Sequence, residues 1–206
     1  MSIELLFVFN LIFYKKYDII YTEKEKENLK INEVFEVFAM IVIYTDGSTL
    51  KNGDKNAKGG FGVVVCEAEP YQDPETYKVI AAYSERAEGT TNNRMEMSAI
   101  LWAINNYGAK DGDFFVPVVY SDSMYCVNSF TNWIKNWKAN GWVRAGNKPL
   151  ENKDLILEYD RLTSKEGLKI DLRYVKGHNG TLFNELADQL ATGKITEQQV
   201  LDMYGG

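Results

Sequence analysis

Short, wholly apolar runs alternate along this chain with segments whose apolar residues recur at helical spacing. The clearest run is I-V-I-Y-T-D-G-S at 41–48. Its β-branched and aromatic residues predict a buried strand that ends on Asp46, with Gly47 as the turn behind it. G-G-F-G-V-V-V-C-E at 59–67 and residues 77–86 predict a second and a third strand. Turn-rich connections join the three, so an antiparallel meander is expected. Residues 90–107 then switch to a helical period. Met95, Ala99, Trp102 and Ala103 recur at that spacing, Thr91, Asn92 and Asn93 are helix-start residues, and Glu96 falls in the first turn.

An apolar run at 114–120 leads into Ser121-Asp122-Ser123, a fourth strand that stops on a carboxylate and is expected to lie parallel to the first. Residues 124–132 predict a short helix, 133–140 continue it, and Gly141 ends it. A loop follows through Pro149. Asn152 is a candidate cap for an amphipathic helix to about residue 163, with Leu155, Ile156, Tyr159 and Leu162 on one face. Residues 168–175 alternate as a last strand, G-H-N-G at 177–180 is a tight loop, and a helix from about 182 to 191 carries Glu185 and Asp188. The tail after Gly193 shows no legible chemistry, and no repeat is visible. The fold class is α/β: a mixed five-stranded sheet, three antiparallel strands and then parallel ones, flanked by helices.

The first 39 residues have a different texture. The apolar run at 5–13, broken by Asn10, is shorter than the roughly 20 residues a bilayer span needs. Glu4 before it, Lys15 and Lys16 after it, and the lack of a small-residue cleavage site argue against a signal peptide. E-K-E-K-E-N-L-K at 23–30 is a solvated charge run. Two readings stay open for 1–39: an extension ahead of a true start at Met40, or a small appendage that packs on the domain or binds a partner. The expected division is 1–39, a domain at 40–195, and a tail at 196–206.

A chain of 206 residues suits one main domain with a sizeable core. Cys66 and Cys126 lie in apolar runs without metal-ligand spacing, which favours reduced core residues and a cytoplasmic setting. The net charge of −6 gives no hint of nucleic-acid binding, but its distribution does. From 133 to 150 the chain carries Lys135, Lys138, Arg144 and Lys148, no acidic residue, and Trp133, Trp137 and Trp142 interleaved. That is a local basic footprint on an acidic protein.

Four carboxylates stand at positions where they could converge: Asp46 and Asp122 on neighbouring strands, Glu96 and Asp188 on helices packed against them. Such a cluster repels itself and is stable mainly around cations, and hard oxygen ligands suit Mg²⁺ or Mn²⁺. Taken singly, each has a plainer use. Asp46-Gly47 is a common turn dipeptide, Asn93 to Glu96 fits a capping box, Asp122 could cap the helix after it, and Asp188 could be a solvated helix residue. His178, the only histidine, could be incidental.

In combination the motifs resemble type 1 ribonuclease H, of the bacterial-like kind with a basic protrusion. They are T-D-G-S at 45–48, T-T-N-N-R-M-E at 90–96, S-D-S at 121–123, W-I-K-N-W-K-A-N-G-W at 133–142, and V-K-G-H-N-G followed by N-E-L-A-D at 175–188. The resemblance covers residues 41 to about 192 and implies a ribonuclease H-like fold. It implies a monomeric, cytoplasmic endoribonuclease, with no membrane partner, that cuts the RNA strand of RNA–DNA hybrids to 5′-phosphate and 3′-hydroxyl ends. Primer removal and hybrid resolution would be its cellular work. It assigns Asp46, Glu96, Asp122 and Asp188 to binding two Mg²⁺ ions, with Mn²⁺ as the alternative, and His178 to proton handling or product release. Asn52, Thr91, Asn92 and Asn93 match backbone-contacting positions. Lys135, Lys138, Trp142, Arg144 and Lys148 are assigned to nucleic-acid binding in the protrusion that grips the hybrid, where Trp133 and Trp137 are better explained as packing. Three departures are visible. Met124 stands where the bacterial family commonly has a glutamine, the loop after Asp46 is longer and more charged than usual, and residues 1–39 do not resemble a hybrid-binding domain. The rivals are a binding module without turnover and a nuclease of the same fold acting on DNA.

Overall fold

The computed structural model describes residues 39–206 apart from 51, 53, 70, 71, 114, 178 and 179. The expectations for the first 38 residues fall outside it. Three long strands, β1 (Met40–Thr49), β2 (Lys58–Ala68) and β3 (Lys78–Glu88), form the antiparallel meander. Helix α1 (Asn92–Tyr107) leads to β4 (Val118–Ser121), which pairs in parallel with β1 from Val42↔Val118 to Thr45↔Ser121. Strand β7 (Asp171–Tyr174) adds in parallel to β4, giving the order β3-β2-β1-β4-β7. This is the expected mixed five-stranded sheet.

Both faces of the sheet are covered, which explains why β1 and β2 read as continuous apolar runs. Ile43, Val63, Val65 and Val119 face Met97, Ile100 and Ile104 of α1 and Ile156 of α4 (Lys153–Asp160). Val42, Tyr44, Val64 and Cys66 face Phe183, Leu186 and Leu190 of α5 (Leu182–Thr192). Each such buried side chain contributes about 1.5–3 kcal/mol. Arg94 of α1 ties that helix to α4 with two hydrogen bonds to Asp154, at 2.9 and 2.6 Å. Among the described residues no helix is long and apolar enough to cross a membrane.

Several local expectations fail for identifiable reasons. β1 does not stop at Asp46: it continues to Thr49, with Gly47 opposite Phe61. Gly47 is there for space, because a Cβ on it would lie 2.1 Å from the Glu96 nitrogen. The cap of α1 is the Thr91 hydroxyl, which accepts from the Arg94 N–H at 3.4 Å, so the Asn93–Glu96 capping box does not form and Glu96 sits beyond the first turn. Ser123, not Asp122, caps α2 (Met124–Asn128), accepting from the Cys126 N–H at 3.3 Å. A π-type turn, Ser129–Trp133, joins α2 to α3 (Ile134–Ala139). The loop expected up to Pro149 contains a small hairpin, β5 (Val143–Arg144) with β6 (Lys148–Pro149). Asn152 adopts a left-handed conformation and makes no side-chain cap. After Gly193 comes an element the sequence does not announce, α6 (Glu197–Tyr204), with a Thr196–Gln199 capping box and Val200 buried under the sheet.

Candidate active site

Parallel pairing of β1 and β4 ends at Thr45↔Ser121, and the buried Thr45 hydroxyl bridges the two strands by donating to the Tyr120 carbonyl at 3.0 Å. One residue on, Asp46 and Asp122 emerge side by side at the point where the strand order reverses, the usual place for a site in an open α/β sheet. Because Gly47 lets α1 lie directly on the strand, Glu96 arrives at the same spot. Asp46, Glu96 and Asp122 each offer an oxygen within 4.8 Å of the others. Asp46 and Glu96 are buried, each 7% exposed, and Asp122 is half-buried.

The electrostatics follow from this crowding. Burial, and then the charges of Asp122 and Asp188, push the Asp46 carboxyl from 3.8 up to about 7, although the Gly47 N–H donates to it at 2.7 Å. Burial, Asp46 and Asp122 hold Glu96 well above the usual carboxylate range. Among the described residues the buried Glu96 Oε2 has no hydrogen-bond partner. Among the described residues no lysine or arginine pairs with Asp46, Glu96 or Asp122. Three converging hard-oxygen donors, one of which has a buried oxygen that no described residue satisfies, fit a divalent cation.

Asp188 stands apart. It lies on α5, outside that group of three, and its Oδ2 is 3.7 Å from Lys194 Nζ. It is close enough to act on Asp46 electrostatically. His178 lies outside the described residues, but Gly177 just before it packs so tightly that a Cβ there would come 2.3 Å from Asp122 Oδ2. Asn184 escaped the sequence reading. It is 2% exposed, its Nδ2 donates to Asp122 Oδ2 at 3.4 Å, and its buried Oδ1 has no partner among the described residues. The available signal was its place four residues before Asp188, on the same face of the helix.

The candidate substrate contacts fall into two groups. Asn52 Oδ1 accepts from the Asn92 N–H at 3.3 Å, which brings Asn52, Thr91, Asn92 and Asn93 together at the start of α1. Asn52, Asn92 and Asn93 are exposed there. In the protrusion, Lys138 donates to Asp160 at 2.6 Å and Ser164 at 3.2 Å. Arg144 is 2.9 Å from Glu151 and donates to the Pro149 carbonyl. Lys135 and Lys148 are exposed and, among the described residues, have no ion-pair partner. Trp133 meets Trp137 edge-on at 5.7 Å and is 39% exposed, while Trp137 and Trp142 pack against the core. Met124, at the start of α2, is 48% exposed.

The family model described as RNase H matches residues 39–196. A ribonuclease H of Francisella tularensis subsp. novicida is 37% identical over 165 residues, 80% of this chain and 97% of that protein. Ribonuclease H1 of Rattus norvegicus is 37% identical over 152 residues, 73% of this chain and 48% of its own length, so the match spans about half of the rat protein. Among solved structures, LC9-RNase H1, described as a type 1 RNase H with the type 2 active-site motif, aligns with a TM-score of 0.62 at 31% identity, covering 77% of this chain and 74% of that one. The PFV RNase H domain aligns with the same TM-score at 28% identity, covering 75% and 93%.

Proposed function

The chain belongs to the ribonuclease H family, and on that premise we propose that it is a divalent-metal-dependent endonuclease that hydrolyses the RNA strand of RNA–DNA hybrids. The observation that carries this reading is the meeting of Asp46, Glu96 and Asp122 within 4.8 Å at the end of the β1–β4 pairing. These three would hold the metal, with Asp188 completing the set; two Mg²⁺ ions are the reading, and Mn²⁺ is the alternative. Bound there, the metal supplies Lewis-acid charge and a more acidic water for attack on a phosphodiester. In the hydrolysis a water oxygen bonds to phosphorus and the P–O3′ bond breaks. The leaving oxygen takes a proton and becomes the 3′-hydroxyl, while the phosphate stays on the 5′ end. His178 is assigned the proton handling.

Asn184 holds the Asp122 carboxylate in place. Asn52, Thr91, Asn92 and Asn93 take the nucleic-acid backbone at the start of α1, and Lys135 and Lys148 take phosphates from the protrusion. Backbone contacts make the enzyme indifferent to sequence, and selection of RNA rests on its 2′-hydroxyls. The free, buried Cys66 and Cys126 suit a reducing, cytoplasmic setting, where a monomer would remove primers and resolve hybrids. The test is cleavage of a strand-labelled hybrid with Mg²⁺, with EDTA, and by the Asp46→Asn variant, beside duplex DNA. RNA-strand cutting that needs both metal and Asp46 is the expected result. Binding without cutting would favour a hybrid-binding module, and cutting of duplex DNA would favour a DNA nuclease of the same fold.

A further inference from the structure

The four carboxylates are not treated alike by the rest of the chain. Asp46, Glu96 and Asp122 have no cationic partner among the described residues. Asp188 has one, and the fold builds it in. Gly193 ends α5 in a left-handed conformation, φ 75°, with its N–H donating to the Leu190 carbonyl at 3.1 Å. The next N–H, of Lys194, turns back to the Gln189 carbonyl at 2.9 Å. This closing turn reverses the chain, and the Lys194 ammonium comes to 3.7 Å from Asp188 Oδ2. Lys194 is 66% exposed and Asp188 24%, so the pair sits at the solvent side of the acid field. The Asp188 charge also reaches Asp46.

We propose that Lys194 is a resident counter-ion of Asp188 that a divalent cation must outcompete, so that it sets how much cation this chain needs to be fully loaded. The inference rests on the metal reading of the site. It is a matter of through-space charge: an ammonium beside a ligand carboxylate stabilises the empty site and opposes a further positive charge. Lys194 touches no reacting atom and is a positioning residue for the acid field. Saturating metal overcomes it, so the maximal rate and the KM for hybrid are unaffected.

The experiment compares wild type with Lys194→Arg, Lys194→Met and Lys194→Glu, and with Lys169→Met as a control, since Lys169 pairs with the distant-in-fold Asp111. Two Mg²⁺ titrations are read: the rise in unfolding temperature without substrate, and the rate of hybrid cleavage. Both midpoints should fall about two- to fivefold in Lys194→Met, the scale of an exposed pair, and further in Lys194→Glu. Lys194→Arg and Lys169→Met should track wild type. Coincident curves for all variants would overturn the proposal. So would a raised KM for hybrid with an unmoved Mg²⁺ midpoint, which would make Lys194 a phosphate contact instead. If Mg²⁺ stabilised neither wild type nor any variant, the metal reading itself would fall, and this inference with it.

Discussion

The acid site and the basic protrusion use their charges in opposite ways. At the site, packing brings like charges together: Gly47 lets α1 press Glu96 against Asp46, and no described lysine or arginine offsets Asp46, Glu96 or Asp122. In the protrusion, charges of one sign in the sequence are partly neutralised by the fold, Lys138 by Asp160 and Arg144 by Glu151. A strained cluster of carboxylates is an arrangement looking for a cation. Lys138 and Arg144 would have to leave these partners before gripping a phosphate, whereas Lys135 and Lys148 have no ion-pair partner among the described residues. Charge in a sequence therefore predicts function best where the fold leaves it uncompensated.

The largest effect should come from the site. Asp46→Asn is expected to lower kcat about 10³-fold or more while leaving the fold intact, checked by single-turnover cleavage of labelled hybrid; near-wild-type turnover would remove Asp46 from the mechanism. Gly47→Ala should follow, because the new Cβ meets backbone, not a side chain that can step aside. A stability loss of about 3 kcal/mol and roughly 10²-fold lower activity are expected. The matching change in the protrusion, Gly146→Ala, meets nothing within 4 Å and faces only its positive φ of 73°. It should cost about 1–2 kcal/mol and leave kcat alone. Equal losses in denaturant melts and kcat for the two alanines would erase the contrast.

The pH dependence of the metal-free protein sharpens the same comparison. Asp46 titrates near 3.8 unfolded and near 7 folded, so between those values the native state holds the extra proton and its stability falls as pH rises. Asp46→Asn lacks this penalty. Without divalent metal, the stability advantage of Asp46→Asn over wild type should be smallest near pH 4 and widen as pH rises towards 7. Urea melts of both proteins across that range in EDTA would show it. A gap that stayed constant from pH 4 to 8 would mean the carboxylates do not strain one another.

Strands and their pairing were legible in the sequence because they depend on local period and composition. The run at 41–48 is apolar throughout because both faces of β1 are covered, and the parallel partner followed from a helical segment between two strand signals. What was not legible depended on contacts distant in sequence. Asp46-Gly47 reads locally as a turn, and only the arrival of α1 shows that the glycine makes room for Glu96. Asn93 to Glu96 reads as a capping box, yet Thr91 wins the cap and frees Glu96 for the site. Helix α6 buries Val200 but keeps most of its surface exposed, so its apolar signal was too thin to see. The four acids and their order were readable; that three of them meet while Asp188 pairs with Lys194 was not, since it turns on a left-handed glycine after α5.

The smallest expected effect divides the protrusion's four cations by what the fold has done with them. Neutralising Lys135 and Lys148 together should weaken hybrid binding and flatten its salt dependence by about 0.9 in log–log slope for each phosphate no longer neutralised. Neutralising Lys138 and Arg144 together should change that slope little, because those charges are already held by Asp160 and Glu151. It should instead cost the protein about 0.2–1 kcal/mol per exposed pair. Equilibrium binding across a salt series, with Asp46→Asn as the background so that substrate survives, measures the first effect, and thermal melts measure the second. The opposite assignment, with the slope carried by Lys138 and Arg144, would mean that hybrid binding breaks both ion pairs. The protrusion would then have to be read as a latch opened by its substrate, not as a surface where Lys135 and Lys148 have no ion-pair partner among the described residues.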